Sequence, residues 1–245
     1  MRPEPQCLWA PRLPDQDWAA AEATFDPEGE EDTGRWRFSH PLDQQFPLAW
    51  GEVRFLGRFT PFRHLGFFPE QAANWAWIDE QVRAAGRPIR LLNLFGYTGV
   101  ASLIAAAAGA EVTHVDASKK AIGWARENAE LAGLADKPVR WICEDARRYV
   151  QREVRRGSRY DGIILDPPKY GRGPNGEVWR LYEDLPELIA NVYAERISGL
   201  AVGSLLREAL PGREGRIDWG ELALVEQGGE RAVGLSFFAR WSVGR

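Results

Sequence analysis

The sequence predicts an α/β fold: a doubly wound, mostly parallel sheet with helices on both faces and an antiparallel last strand, preceded by a small β-rich element. Three observations predict it. Four short apolar runs between residues 88 and 166 are separated by helical segments, which is the pattern of repeated βαβ units. Each run ends on a polar or turn-forming residue. The chain before residue 60 alternates apolar and polar positions instead, which suits short antiparallel strands.

Taken in order, residues 26–34 ("DPEGEEDTG") form an acidic, turn-rich stretch expected to be a solvated loop. "WRFSH" and "LAWGEVRFLGRFT" (48–60) are expected strands. After Pro69 the period becomes helical, with Ala72, Trp75, Ile78 and Val82 on one face and Gly86 as the stop. Residues 88–95 are a buried strand, 100–108 a helix closed by Gly109, and 110–116 a second strand. Residues 118–133 are a helix with Ser118 at its N-cap. Residues 138–145 are a third strand, 146–157 a helix and 160–166 a fourth strand. Residues 221–227 and 231–242 are expected to be a final antiparallel pair.

Composition narrows the function. The 245 residues carry a net charge of −4, so the overall balance does not announce a nucleic-acid binder. Two cysteines, Cys7 and Cys143, lie far apart, and three histidines do not cluster. Neither a disulfide framework nor a metal site is expected. No signal peptide or membrane-length apolar run is visible, so a soluble cytoplasmic protein without a membrane partner is expected. The eleven tryptophans are expected to pack, with base stacking as the alternative for one or two.

In open parallel sheets ligands bind outside the carboxyl ends of the strands. Those ends carry Asn93 with Gly96, then Asp116, Asp145 and Asp166. In "NLFGYTG" (93–99), Gly96 and Gly99 permit a tight turn and close approach to a ligand. The spacing is not that of a pyrophosphate-binding dinucleotide fingerprint. An acid at Asp116 suits ribose hydroxyls, and Asp145 or the Ala146 backbone suits an adenine amino group. The implied ligand is an adenosine without a polyphosphate, which favours S-adenosylmethionine over NAD. At "DPPK" (166–169), Pro167 and Pro168 fix the backbone and remove two donors. Asp166 and its carbonyl then form a rigid shelf for an acceptor, and Lys169 suits a phosphate or base oxygen. Methyl transfer asks chiefly for such placement.

"LNLFGYTG", "VDASKKAIGWARENAELAGL", "EDARRYV" and "YDGIILDPPKYGRG", together with "GFFPEQAANW", resemble class I S-adenosylmethionine-dependent methyltransferases over roughly residues 60–182. More narrowly, they resemble the group that contains the large-subunit ribosomal RNA methyltransferases of the cytosine-C5 type. The resemblance implies a seven-stranded Rossmann-like fold with residues 67–245 as the catalytic domain and 1–66 as the β-rich element. It implies that Asn93, Phe95, Gly96, Tyr97, Thr98 and Gly99 surround the methionine part. Asp116, with Ala117 and Ser118 beside it, would hold the ribose. Asp145 and Ala146 would border the adenine, and Phe68 and Gln71 would close over the cofactor. Asp166, Pro167, Pro168 and Lys169 would face the acceptor.

Two departures from that group stand out. Neither the "PP" loop nor the region after it holds the cysteine that C5 chemistry uses, and Cys143 is expected to be a buried hydrophobe. Direct displacement onto a base nitrogen or another acceptor is therefore favoured. Only "LIANVY" (188–193) is available as a shortened fifth strand. Arg147, Arg148, Arg152, Arg155, Arg156 and Arg159 are expected to be a solvated helix face, while Lys169, Arg172 and Arg180 flank a flexible basic loop, "YGRGPNG", suited to substrate. The expected function is methylation of RNA, ribosomal RNA first. The rivals are a small-molecule or protein amine methyltransferase, a non-catalytic S-adenosylmethionine- or RNA-binding protein, and an NAD-dependent oxidoreductase. The sequence says nothing of the oligomeric state.

Overall fold

The computed structural model describes residues 13–29, 33–191, 215–225 and 232–242. After the short helix α1 (Asp15–Ala19) come two antiparallel hairpins, β1 (Ala23–Pro27) with β2 (Gly34–Phe38), and β3 (Gln45–Trp50) with β4 (Val53–Arg58). Alternation sends Val53 and Phe55 inward. They pack with Trp75, Val100, Leu103, Ile104 and Ala129, so the second hairpin shares a core with the helices behind it. A 3-10 turn, Pro69–Gln71, leads into α2 (Ala72–Ala84), which buries Trp75, Ile78 and Val82 as its period requires.

The central sheet takes β5 (Arg90–Leu94), β6 (Glu111–Asp116), β7 (Val139–Cys143) and β8 (Gly162–Leu165) in the order β7-β6-β5-β8, all parallel. The chain runs outward from β5 to β7 and then returns to the other side of β5. The switch point between β5 and β8 opens a crevice at their carboxyl ends. Helix α3 (Val100–Ala108) joins β5 to β6, α4 (Lys119–Leu131) joins β6 to β7, and α5 (Ala146–Arg155) joins β7 to β8. Leu91 and Val112 face α2 and α3, whereas Leu92, Leu94 and Val115 face α5 and Leu181, Leu185 and Leu188. The sheet is therefore covered on both faces, as the expected doubly wound fold requires.

Three expectations about local structure change. "YGRGPNG" is not a loose loop: β9 (Tyr170–Arg172) and β10 (Val178–Arg180) form a hairpin. Its turn is closed by Gly173 N–H donating to the Glu177 carbonyl at 2.7 Å, and Arg148 pairs with the Glu177 carboxylate at 2.6 Å. Residues 188–191 of the expected fifth strand belong instead to α6 (Leu181–Asn191). Leu181, Leu185 and Leu188 recur at helical spacing and are all buried, and Asp184 accepts the Arg180 N–H at 2.6 Å. Residues 192 and 193 lie outside the described residues, as does Cys7. Cys143 is exposed, not buried, because it is the last residue of β7 and turns outward, with Sγ 3.7 Å from the Ala117 carbonyl.

The final pair, β11 (Arg216–Val225) and β12 (Ala232–Ser242), forms its own antiparallel ribbon among the described residues. No helix among the described residues is long and apolar enough to cross a membrane.

Candidate active site at the carboxyl edge of the parallel sheet

A cavity of about 1150 Å³ opens at the carboxyl ends of β5, β6, β7 and β8. Its wall includes Phe68, Gln71, Asn93, Phe95, Gly96, Tyr97, Thr98, Asp116, Ala117, Ser118, Asp145, Ala146, Asp166, Pro167 and Pro168. Of the residues expected from sequence, only Gly99 and Lys169 lie off the wall.

The β5–α3 turn carries strain. Phe95 (φ 54°) and Tyr97 (φ 49°) both adopt the left-handed region, which costs about 1–2 kcal/mol for each non-glycine residue. Hydrogen bonds to the neighbouring strand β6 help hold the turn. The Gly96 N–H donates to the Val115 carbonyl at 3.1 Å, and the Tyr97 N–H donates to Asp116 Oδ2 at 2.9 Å. The Gly96 requirement is internal to the protein: a Cβ there would lie 2.4 Å from Cε1 of His114, a ring that is wholly buried. Gly99, at φ +83°, is the N-cap of α3 and needs its conformational freedom.

Two expected ligand groups are spent inside the protein. The Asn93 amide donates to Ser102 Oγ at 2.8 Å. That hydroxyl in turn lies within hydrogen-bond distance of His114 Nδ1, at 3.0 Å. Thr98 Oγ1 donates to the Gly66 carbonyl at 2.7 Å, and the Asn128 amide donates to the Thr98 carbonyl at 2.9 Å. Both residues shape the turn rather than offering their polar tips to a ligand.

Asp116 sits at the end of β6 with Oδ1 accepting the Ser118 N–H at 2.8 Å and Oδ2 accepting that of Tyr97. A carboxylate oxygen has further acceptor capacity, so a pair of vicinal hydroxyls can still bind it. Burial raises its pKa, and the two N–H donors work against that rise. Burial, with the Asp116 charge beside it, pushes the Tyr97 phenol up to about 12. Asp145 is the N-cap of α5 and accepts the Arg148 N–H at 3.1 Å through Oδ1. It is therefore both a helix cap and part of the cavity wall.

Asp166 follows β8. Its Oδ2 accepts from Gln71 Nε2 at 3.1 Å, a contact that spans the cavity mouth. The proline shelf is anchored from below: Trp179 Nε1 donates to the Pro168 carbonyl at 2.7 Å, and the Leu181 N–H donates to the Lys169 carbonyl at 3.1 Å. Trp179 is buried against Phe95, ring centroids 4.8 Å apart, so shelf and cofactor-side turn share one support. Around the mouth, Phe62 stacks on His64, which packs against Phe68 and Tyr97.

The arginine-rich segment is largely paired. Arg147 meets Asp184, Arg148 meets Glu177, Arg152 meets Glu144 at 2.5 Å and Arg156 meets Glu153 at 3.0 Å. Arg180 pairs with Glu183 at 2.9 Å. Lys169 and Arg172 are exposed beside the shelf.

The sequence pattern of the S-adenosylmethionine-dependent methyltransferase family matches residues 29–203, which is most of the chain. The chain belongs to that family. A crystal structure described as the SAM-dependent methyltransferase from Agrobacterium tumefaciens is 50% identical, with a TM-score of 0.92, and the match covers 98% of this chain and 83% of that one. Ribosomal RNA large subunit methyltransferase K/L of Syntrophotalea carbinolica is 32% identical over 61% of this chain and 21% of its own length. Ribosomal RNA large subunit methyltransferase I of Aeromonas salmonicida is 30% identical over 70% of this chain and 46% of its own length. The chain thus spans less than half the length of these two relatives.

The cofactor of the family is S-adenosylmethionine, and the cavity fits it. Asp116, Asp145 and Asp166 make the strand-end wall acidic, which favours a sulfonium cation and opposes the pyrophosphate of a dinucleotide. Phe68 and Tyr97, both on the wall, add aromatic surface, which attracts a cation.

Four residues of the site were not singled out from sequence. Asn74 lies one helical turn beyond Gln71, and its Nδ2 donates to Gln71 Oε1 at 2.7 Å; the i, i+3 spacing was the available signal. His64, Trp179 and Arg240 come together with the site through tertiary packing, which no local pattern reports.

Proposed function

We propose that this protein transfers the methyl group of S-adenosylmethionine to a base of RNA, ribosomal RNA first, by direct displacement in the cytoplasm. The observation that carries the proposal is the row of strand ends on one cavity, with the proline shelf of Asp166 at its mouth. The names of the ribosomal RNA methyltransferase relatives support the choice of substrate.

S-adenosylmethionine supplies an electrophilic methyl carbon on a sulfonium sulfur. In the proposed arrangement Asp116 accepts the ribose hydroxyls, with Ala117 and Ser118 beside it. Asp145 and the Ala146 backbone border the adenine. The turn from Asn93 to Gly99 walls the methionine part, and Phe68 and Gln71 close the top. Asp166, Pro167, Pro168 and Lys169 face the acceptor. The proposed catalytic domain is residues 67–245, with residues 1–66 as the β-rich element before it and His64 of that element on the cavity wall. Asp166 accepts a hydrogen bond from the acceptor base and holds its lone pair in line with the methyl carbon. Bound S-adenosylmethionine would supply the methyl carbon and its sulfur would keep the bonding pair as leaving group, while Asp166 would take the proton that the methylated nitrogen sheds. Among the described residues no cysteine lines the cavity, and the proposed route is direct displacement. Lys169 and Arg172 meet the phosphate backbone, and the aromatic rings at the mouth stack on the base.

The experiment is transfer of labelled methyl from S-adenosylmethionine into total RNA that lacks this protein's own modification, with a protein fraction alongside. Label in RNA, traced by nucleoside analysis to one base, is the expected result. Label only in protein would favour an amine substrate. S-adenosylmethionine binding without any transfer would leave a binding protein.

A further inference from the structure

Three polar side chains, Arg240, Asn74 and Gln71, connect the last strand to the proposed catalytic carboxylate. Arg240 on β12 donates to Asn74 Oδ1 through both Nη2, at 2.6 Å, and Nε, at 3.1 Å. Asn74 Nδ2 donates to Gln71 Oε1 at 2.7 Å, and Gln71 Nε2 donates to Asp166 Oδ2 at 3.1 Å.

The ends of this chain decide its polarity. A primary amide can present either its oxygen or its nitrogen to a neighbour, and only the surrounding network selects between them. A guanidinium has donors only, and an ionised carboxylate has acceptors only. With Arg240 at one end, Asn74 must turn its oxygen to β12 and its nitrogen to Gln71. Gln71 must then turn its oxygen to Asn74 and its nitrogen to Asp166. Two amides between a donor and an acceptor leave one consistent orientation throughout.

Arg240 is built to stay in place. Its guanidinium lies over the ring of Phe238 at 4.2 Å and over that of Trp77 at 5.3 Å. Asp218 faces it across the β11–β12 ladder.

We infer that Arg240 is a positioning residue, which acts through the amides of Asn74 and Gln71 to present an N–H to Asp166 and so hold that carboxylate at the acceptor. The inference rests on the proposed role of Asp166 and extends it to the C-terminal ribbon, about 75 residues further along the chain by the numbering of the two residues. It makes the ribbon part of the active-site support.

The test measures kcat, KM for S-adenosylmethionine and melting temperature for Arg240→Met, Arg240→Lys, Asn74→Asp and Asp166→Ala. Asn74→Asp is the informative variant. It keeps the size of the side chain and its contact with Arg240, but it has no donor for Gln71, so the relay is broken without loosening the ribbon. Loss of one hydrogen bond to a carboxylate corresponds to about a tenfold fall in rate. Asn74→Asp and Arg240→Met are each expected to lower kcat by about that factor with KM for S-adenosylmethionine nearly unchanged. Arg240→Lys, which retains a charged donor, is expected to recover a good part of the loss. Wild-type kcat in Asn74→Asp, or a fall in melting temperature in Arg240→Met without a fall in kcat, would overturn the relay while Asp166→Ala stays inactive. Full activity in Asp166→Ala would instead remove the role of Asp166 itself, and the relay with it.

Discussion

Gly96→Ala adds one methyl group, and the structure says where it goes. The new Cβ would lie 2.4 Å from His114 Cε1 and 2.5 Å from Nδ1. Carbon atoms in contact need roughly 3.5 Å, so something must give by about 1 Å. His114 has nowhere to retreat: it is wholly buried, its Nδ1 is held by Ser102, and the Trp141 ring lies 4.8 Å away on centroids. The turn must therefore move into the cavity. Overpacking of this kind costs about 1–3 kcal/mol, which for a chain of this size is a fall of roughly 2–12 °C in melting temperature. A displacement of about 1 Å in a positioning loop can reduce catalysis by as much as 100-fold, so affinity for S-adenosylmethionine should fall together with stability. The assay is a double-mutant cycle with His114→Ala, read by melting temperature and by equilibrium binding of the cofactor. In the His114→Ala background the methyl group has room, so Gly96→Ala should cost much less there. An equal cost in both backgrounds, or no cost in either, would refute the steric account.

Asp166→Ala is expected to abolish turnover and keep cofactor affinity within about tenfold, the loss of at most one hydrogen bond, whereas Asp116→Ala should weaken binding by more than that because it also orphans the Tyr97 and Ser118 N–H groups; calorimetry with S-adenosylhomocysteine separates the two. Burial lowers the His114 pKa to about 3, against about 6.5 in the unfolded chain. Between those values the unfolded chain binds a proton that the folded chain refuses. The stabilisation is therefore complete above about pH 6.5 and is lost as pH falls toward 3. From pH 7 to pH 5 the loss is about 2 kcal/mol, and denaturant titrations should show a shallower dependence in His114→Gln. Replacing Lys169 and Arg172 by Gln should reduce the salt dependence of RNA binding by about two phosphate contacts, whereas replacing the salt-bridged Arg148 and Arg156 should leave it nearly unchanged.

The four parallel strands, their helices and the acids at their ends were legible because each rests on local signals. Apolar runs, caps such as Ser118 and the strand-end residues are all read within about ten positions. What escaped depends on chain segments meeting. The "YGRGPNG" segment has turn composition, and the tertiary contacts of Glu177 with Arg148 and of Trp179 with Pro168 help hold it as a hairpin. Gly96 lines the cavity, and the neighbour that a Cβ there would meet is His114 on the adjacent strand, a contact that no local pattern reports. Arg148, Arg155, Arg156 and Arg159 are exposed, as a solvated face requires; what sequence does not report is that Arg147, Arg148 and Arg156 find carboxylate partners in the β10–α6 region and in α5 itself. Residues 188–191 looked like strand from their apolar content, and helical spacing with Leu181 and Leu185 prevailed. Arg240 sits in a strand with no motif of its own, and its tie to Asn74 appears only once β12 lies against α2.

The most direct test of the account is a crystal structure with bound S-adenosylhomocysteine. The ribose hydroxyls should meet Asp116, the adenine should lie beside Asp145 and Ala146, and the sulfur should point toward Asp166 and the proline shelf. A ligand seated elsewhere, or one whose sulfur points away from Asp166, would contradict it.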